Sequence, residues 1–157
     1  MKLGIRIFWC VLGIELLGGL GALTMGDALR EWYPSLVKPA GTPPNFIFGP
    51  VWSVLYAMMG ISLALVWHGG LPSLEKRKAM GWFFFQLALN VAWTPVFFGL
   101  RQLLIGLVVI VALWVSIGFT IRSFHSRDRL AAGLLIPYWI WVTYATYLNA
   151  GYWWLNR

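Results

Sequence analysis

Charge is scarce in this 157-residue chain: 11% of its residues are Asp, Glu, Lys or Arg, against 60% that are hydrophobic. So few polar side chains cannot cover the surface of a water-soluble globule, which excludes an ordinary soluble domain. Cysteine is almost missing. Cys10 stands alone, so neither an intrachain disulfide nor a cysteine-held metal cluster can form. The chain has two histidines and five acids, and they fall into no metal-ligand spacing, paired carboxylates or nucleophile–base–acid set. Nor is there a nucleotide-binding loop. No catalytic residue and no metal ligand is therefore assigned. Internal repeats and low-complexity tracts are also lacking.

What the chain does have is long apolar runs, at 3–25, 46–67, 79–100, 103–121 and 130–155. Roughly 20 apolar residues are needed to cross the hydrocarbon core as a helix. The runs predict one all-α integral membrane domain spanning 1–157, a bundle of five transmembrane helices with no separate soluble part. The first run exceeds the roughly 7 to 15 apolar residues of a signal-peptide core, so it is read as a retained helix. Pro50, Pro95 and Pro137 lie inside runs and are expected to kink helices rather than end them.

The formal net charge of +7 comes from small basic groups between the runs, a pattern of membrane topology rather than of nucleic-acid binding. With five crossings, Lys2, Arg6, Lys76, Arg77, Lys78, Arg122, Arg127 and Arg129 share one face, against Arg30, Lys38, Arg101 and Arg157 on the other. That bias predicts a cytoplasmic N-terminus. The connection from Gly26 to Asn45 is the longest and is stiffened by Pro34, Pro39, Pro43 and Pro44, so it is expected to form a semi-ordered capping loop between helices 1 and 2. The very short connection at Arg101 and Gln102 makes the third and fourth helices antiparallel neighbours.

Tryptophan favours the membrane–water boundary, and Trp9, Trp67, Trp82, Trp153 and Trp154 fit that rule. Trp93, Trp114, Trp139 and Trp141 lie well inside their runs, where an indole N–H needs a protein partner or a ligand. In the third run Gln86, Asn90, Trp93 and Phe97 recur on one helical face. In the second, Trp52, Tyr56, Met59 and Leu63 form one face, and Ser53, Ala57, Gly60 and Ala64 form a small-residue stripe suited to close packing. The fifth run aligns Trp141, Ala145 and Leu148. Three aromatic faces with few polar groups suit either a packed aromatic bundle or a pocket for a flat, largely apolar ligand. Glu15, an acid in mid-span, is left without a role.

Several spaced motifs carry a more specific signal. Trp32 and Tyr33 are followed by Lys38, Pro39 and the Thr42, Pro43, Pro44 run, then by Gly49, Pro50, Val51 and Trp52 with Tyr56. Asn90 to Phe98 reads NVAWTPVFF, and Pro137, Tyr138, Trp141, Ala145, Leu148 and Asn149 complete the series. On these residues the chain resembles the translocator protein family, also called tryptophan-rich sensory proteins or peripheral benzodiazepine receptors, over nearly its whole length.

The resemblance implies a five-helix bundle that forms homodimers and a pocket closed by the first loop. The ligand it implies is a tetrapyrrole such as protoporphyrin IX or haem, and a sterol in some members, with no required cofactor and with membrane lipid around it. It assigns Trp52, Tyr56, Asn90, Trp93, Phe97, Trp141, Ala145 and Leu148 to the pocket and Tyr33 to its lid. It also implies a receptor or sensor, with a tetrapyrrole or sterol transporter and a light-dependent porphyrin-degrading enzyme, using Trp52 and Trp141, as alternatives. The spacing of Leu148, Tyr152 and Arg157 matches a sterol-recognition pattern that is common by chance. Arg30 and Lys38 could meet porphyrin propionates or simply face water. His68 and His125 lie on the face opposite the loop, so metal-free porphyrin is expected to bind at least as well as haem.

Overall fold

Backbone N–H and C=O groups find no water inside lipid, so an apolar run must satisfy them within itself. A computed structural model describes residues 1–70 and 72–157, whose regular secondary structure is helical, with no strand among them. Five of the helices have twenty or more residues: α1 Leu3–Leu23, α2 Phe48–His68, α3 Leu74–Thr94, α4 Leu103–His125 and α5 Ile136–Leu155. Four segments, Leu3–Leu23, Asn45–His68, Leu74–Gly99 and Leu103–His125, are long and apolar enough to cross a membrane. Their outward faces carry exposed Phe8, Leu20, Phe85 and Val108, side chains that lipid rather than water solvates. This is a multi-pass integral membrane protein. The fifth helix is long enough, about 30 Å, but its four Tyr and four Trp residues lower its mean hydropathy.

The helix ends follow local chemistry. Ser73 caps α3 by accepting from the Lys76 N–H at 3.1 Å. The Lys76 ammonium reaches back to the carbonyls of Trp67 and Gly69, both at 2.9 Å, where the negative end of α2 attracts it. The Asp128 side chain accepts from the Ala131 N–H at 2.9 Å and starts the short helix Arg129–Leu134, which leads into α5.

The prolines behave differently from one another. Pro50 sits in the first turn of α2 and Pro137 in the first turn of α5, where no N–H is needed, so both start helices instead of kinking them. Pro95 does alter a helix. It has no N–H to offer, and the chain widens into a π turn over Pro95–Gly99 closed by Leu100 N–H to Pro95 C=O at 2.8 Å. The wider turn carries Phe97 and Phe98 inward, and both are buried.

Helix α1 packs on α2, and α4 packs between α3 and α5. The small-residue stripe of α2 does what its composition suggests: at Gly60 the helices approach so closely that a Cβ would lie 2.5 Å from the Val11 Cα. The short turn between α3 and α4 makes them neighbours, with Arg101 held at a φ of 54°.

Candidate functional site

Helices α1, α2 and α5, the end of α3 with the π turn that follows it, and the connection between α1 and α2 enclose a cavity of about 470 Å³, within the usual size of small-molecule sites. It occupies the half of the bundle that faces the α1–α2 connection. Trp52 and Tyr56 of α2 stack on each other at 5.3 Å and form one wall. Trp93 stacks on Phe97 at 5.0 Å and forms a second. Trp141, Ala145 and Leu148 of α5 form a third. The methyl of Ala145 leaves space between two large neighbours.

Eight of the nine residues expected at a site therefore line this one cavity: Tyr33, Trp52, Tyr56, Trp93, Phe97, Trp141, Ala145 and Leu148. Asn90 does not reach its wall. It lies one layer behind, 4% exposed, accepting from the Tyr56 hydroxyl at 3.0 Å and donating to the Tyr138 hydroxyl at 2.9 Å. Tyr138 donates in turn to the Gln86 Oε1 at 2.8 Å. The amides of α3 thus hold the cavity wall to α5 through a buried polar chain, and breaking such a chain in lipid costs roughly 1 kcal/mol per bond.

The deep tryptophans separate by their partners. Trp93 donates to the Asn149 Oδ1 at 3.0 Å, while Asn149 donates to the Leu103 carbonyl at 2.9 Å. Trp114 donates to the Thr143 hydroxyl at 2.7 Å and Trp139 to the Trp114 carbonyl at 3.0 Å. These two rings stack on each other at 5.0 Å away from the cavity, a structural pair between α4 and α5. Trp52 and Trp141 line the cavity, and neither indole N–H has a hydrogen-bond partner among the described residues.

The connection between α1 and α2 is strapped to α5 by main-chain and side-chain bonds. Asn156 accepts from the Val37 N–H at 2.9 Å and donates to the Val37 carbonyl at 3.0 Å. Tyr147 donates to Ala40 at 2.9 Å, and Tyr144 donates to the Gly41 carbonyl. Pro39 sits so close to Gly151 that a Cβ there would lie 2.6 Å from it. Beneath these bonds Tyr152 donates to the Tyr33 hydroxyl at 2.8 Å. Burial, with this bond in second place, pushes the Tyr33 hydroxyl well above its ordinary value. Arg30 and Lys38 are exposed in the connection and do not reach the cavity wall.

Among the further wall residues that the sequence did not single out for the site, four are instructive. Tyr152 extends the α5 face by one more four-residue step from Leu148, a signal that was available. Phe98 faces inward only because of the π turn. Gly18 is unremarkable in sequence, yet a Cβ there would lie 2.1 Å from the Tyr56 ring. Glu15 also faces the cavity. No group of three or more His, Cys, Asp or Glu that could hold a metal occurs among the described residues.

Known proteins match this arrangement closely in sequence. Residues 10–155 match the TspO/MBR family. Protein CrtK of Rhodobacter capsulatus is 43% identical over 141 residues, covering 88% of this chain and 85% of its own. The tryptophan-rich protein TspO of Archaeoglobus fulgidus is 36% identical over 152 residues, or 97% of each chain. The human translocator protein is 41% identical over 131 residues, covering 82% of this chain and 76% of its own. Since the matched span holds every cavity residue and all five long helices but the first turns of α1, the chain belongs to the TspO/MBR family.

Proposed function

We propose that this protein is a membrane receptor that holds a flat tetrapyrrole, such as protoporphyrin IX, in the aromatic cavity. The observation that carries the reading is the pairing of two cavity-wall tryptophans, Trp52 and Trp141, whose indole N–H groups have no partner among the described residues. Aromatic walls offer stacking to a planar ring, and the two free donors offer orientation. In this reading α5 is a fifth crossing, the N-terminus is cytoplasmic, and the connection strapped to α5 is the lid. Ligand access then requires release of bonds such as those at Val37 and Ala40. A homodimer, carried over from the family, is tested by the mass of the purified protein in detergent.

The wall carries no histidine or cysteine, so a haem iron would find none of the usual nitrogen or sulfur ligands there. Absorbance titrations in darkness, with protoporphyrin IX and haem in parallel, test the reading. The expected result is saturable binding of protoporphyrin IX at one site per chain, at least as tight as haem. Absence of saturable porphyrin binding would overturn the tetrapyrrole assignment, and much tighter haem binding would overturn the metal-free preference.

A further inference from the structure

Helix α1 contributes Glu15, Gly18, Gly19 and Ala22 to the cavity wall. Three of these have little or no side chain, so Glu15 is the one long group that α1 puts there. It lies near the middle of a 21-residue apolar helix, where an acid is costly and is usually paired or functional. Glu15 has neither partner. Among the described residues the one ion pair joins Arg127 to Glu75, and no hydrogen bond to the Glu15 carboxyl is formed. Across the gap one turn along, the Tyr56 ring packs on the Gly18 backbone and stacks with Trp52.

The whole cavity wall includes one acid and no Lys, Arg or His. A carboxyl group in a cavity wall that also carries Trp52, Tyr56, Trp93 and Trp141 is the combination that binds an organic cation, by a charge-assisted hydrogen bond to the acid and cation–π attraction to the rings. We infer that Glu15 is the anchor of a subsite for a protonated amine or other N–H cation carried on a flat aromatic ligand. The inference rests on the reading of this cavity as a ligand site, but not on the ligand being a tetrapyrrole. A tetrapyrrole with acidic side chains would have to bind with them toward the lid, away from Glu15.

The test uses the purified full chain in an uncharged detergent, with 9-aminoacridine as the flat cation and acridine as its uncharged parent at neutral pH. The wild-type protein is expected to bind the cation more tightly than the parent by roughly ten- to a hundred-fold, the worth of one charge-assisted hydrogen bond. Glu15→Gln should remove that preference, while Glu15→Asp, which keeps the charge on a shorter arm, should retain part of it. Helix content from circular dichroism establishes that each variant folds. Equal binding of the two probes by the wild-type protein overturns the inference even if no variant folds. So does an unchanged preference in Glu15→Gln. Should the amine preference appear as expected while protoporphyrin IX fails to bind, the tetrapyrrole reading falls and this inference stands. The reverse pattern removes this inference alone.

Discussion

Replacing Gly60 with Ala asks whether the close contact of α1 with α2 holds the cavity in shape. The new methyl carbon would lie 2.5 Å from the Val11 Cα and 2.7 Å from the Val11 N, against the 3.4 Å at which ordinary contact begins. Because the obstacle is backbone, no rotamer change relieves it, and α1 must move by about 0.9 Å. Overpacking of this kind costs about 1–3 kcal/mol. Gly13 of α1 provides the control, since a Cβ there meets nothing within 4 Å. Both glycines are inside helices, so both gain the roughly 1 kcal/mol advantage that Ala holds over Gly. The difference between the two variants therefore isolates the clash. Thermal unfolding in one detergent should place Gly60→Ala several degrees below Gly13→Ala, at about 2–4 °C per kcal/mol for a chain of this size. Ligand binding should weaken too, because α1 carries Glu15 and Gly18 away from Tyr56. If Gly60→Ala melts at or above Gly13→Ala, the argument from the close approach fails.

Other perturbations probe the wall and its supports. Asn149→Ala removes the acceptor for Trp93 and the donor to Leu103, and should lower stability by about 1–2 kcal/mol with a shift in tryptophan emission. The raised value at Tyr33 favours its neutral form in the folded state. Its contribution to stability is therefore complete below the ordinary tyrosine value of 10.0 and is lost as pH rises beyond it. Alkaline unfolding followed by circular dichroism should accordingly begin at higher pH in Tyr33→Phe than in the wild-type protein. Arg101 holds a φ of 54° that glycine adopts at no steric cost, so Arg101→Gly should raise the melting temperature by the equivalent of about 0.5–1 kcal/mol.

Much of this site can be read from periodicity because helices repeat locally. Trp93 and Phe97 share a face of the third run, and Trp141, Ala145 and Leu148 share a face of the fifth, wherever the helices finally pack. Partner choice does not follow from periodicity. Asn90 lies on the same face as Trp93, yet Tyr138 from a distant run meets it first and holds it behind the wall. Trp114 and Trp139 look in sequence like candidates for a ligand, but Thr143 and a main-chain carbonyl satisfy them instead. Proline placement was ambiguous for a different reason. A proline tolerated within a lipid-length run and one at a helix start look alike until the preceding turn is seen, as at Pro50 and Pro137. Glu15 was conspicuous in the sequence, but only the packing of α1 on α2 gives it a cavity to face.

The central claim is that the aromatic cavity is the ligand site, and Ala145→Phe tests it most directly. Ala145 lies on the wall between Trp141 and Leu148, and a phenyl ring there would fill space that a planar ligand needs. Tryptophan fluorescence titrated with protoporphyrin IX should show saturable quenching in the wild-type protein and a loss of at least ten-fold in affinity in a folded Ala145→Phe variant. Equal affinity in the two proteins would place the ligand elsewhere and contradict the account.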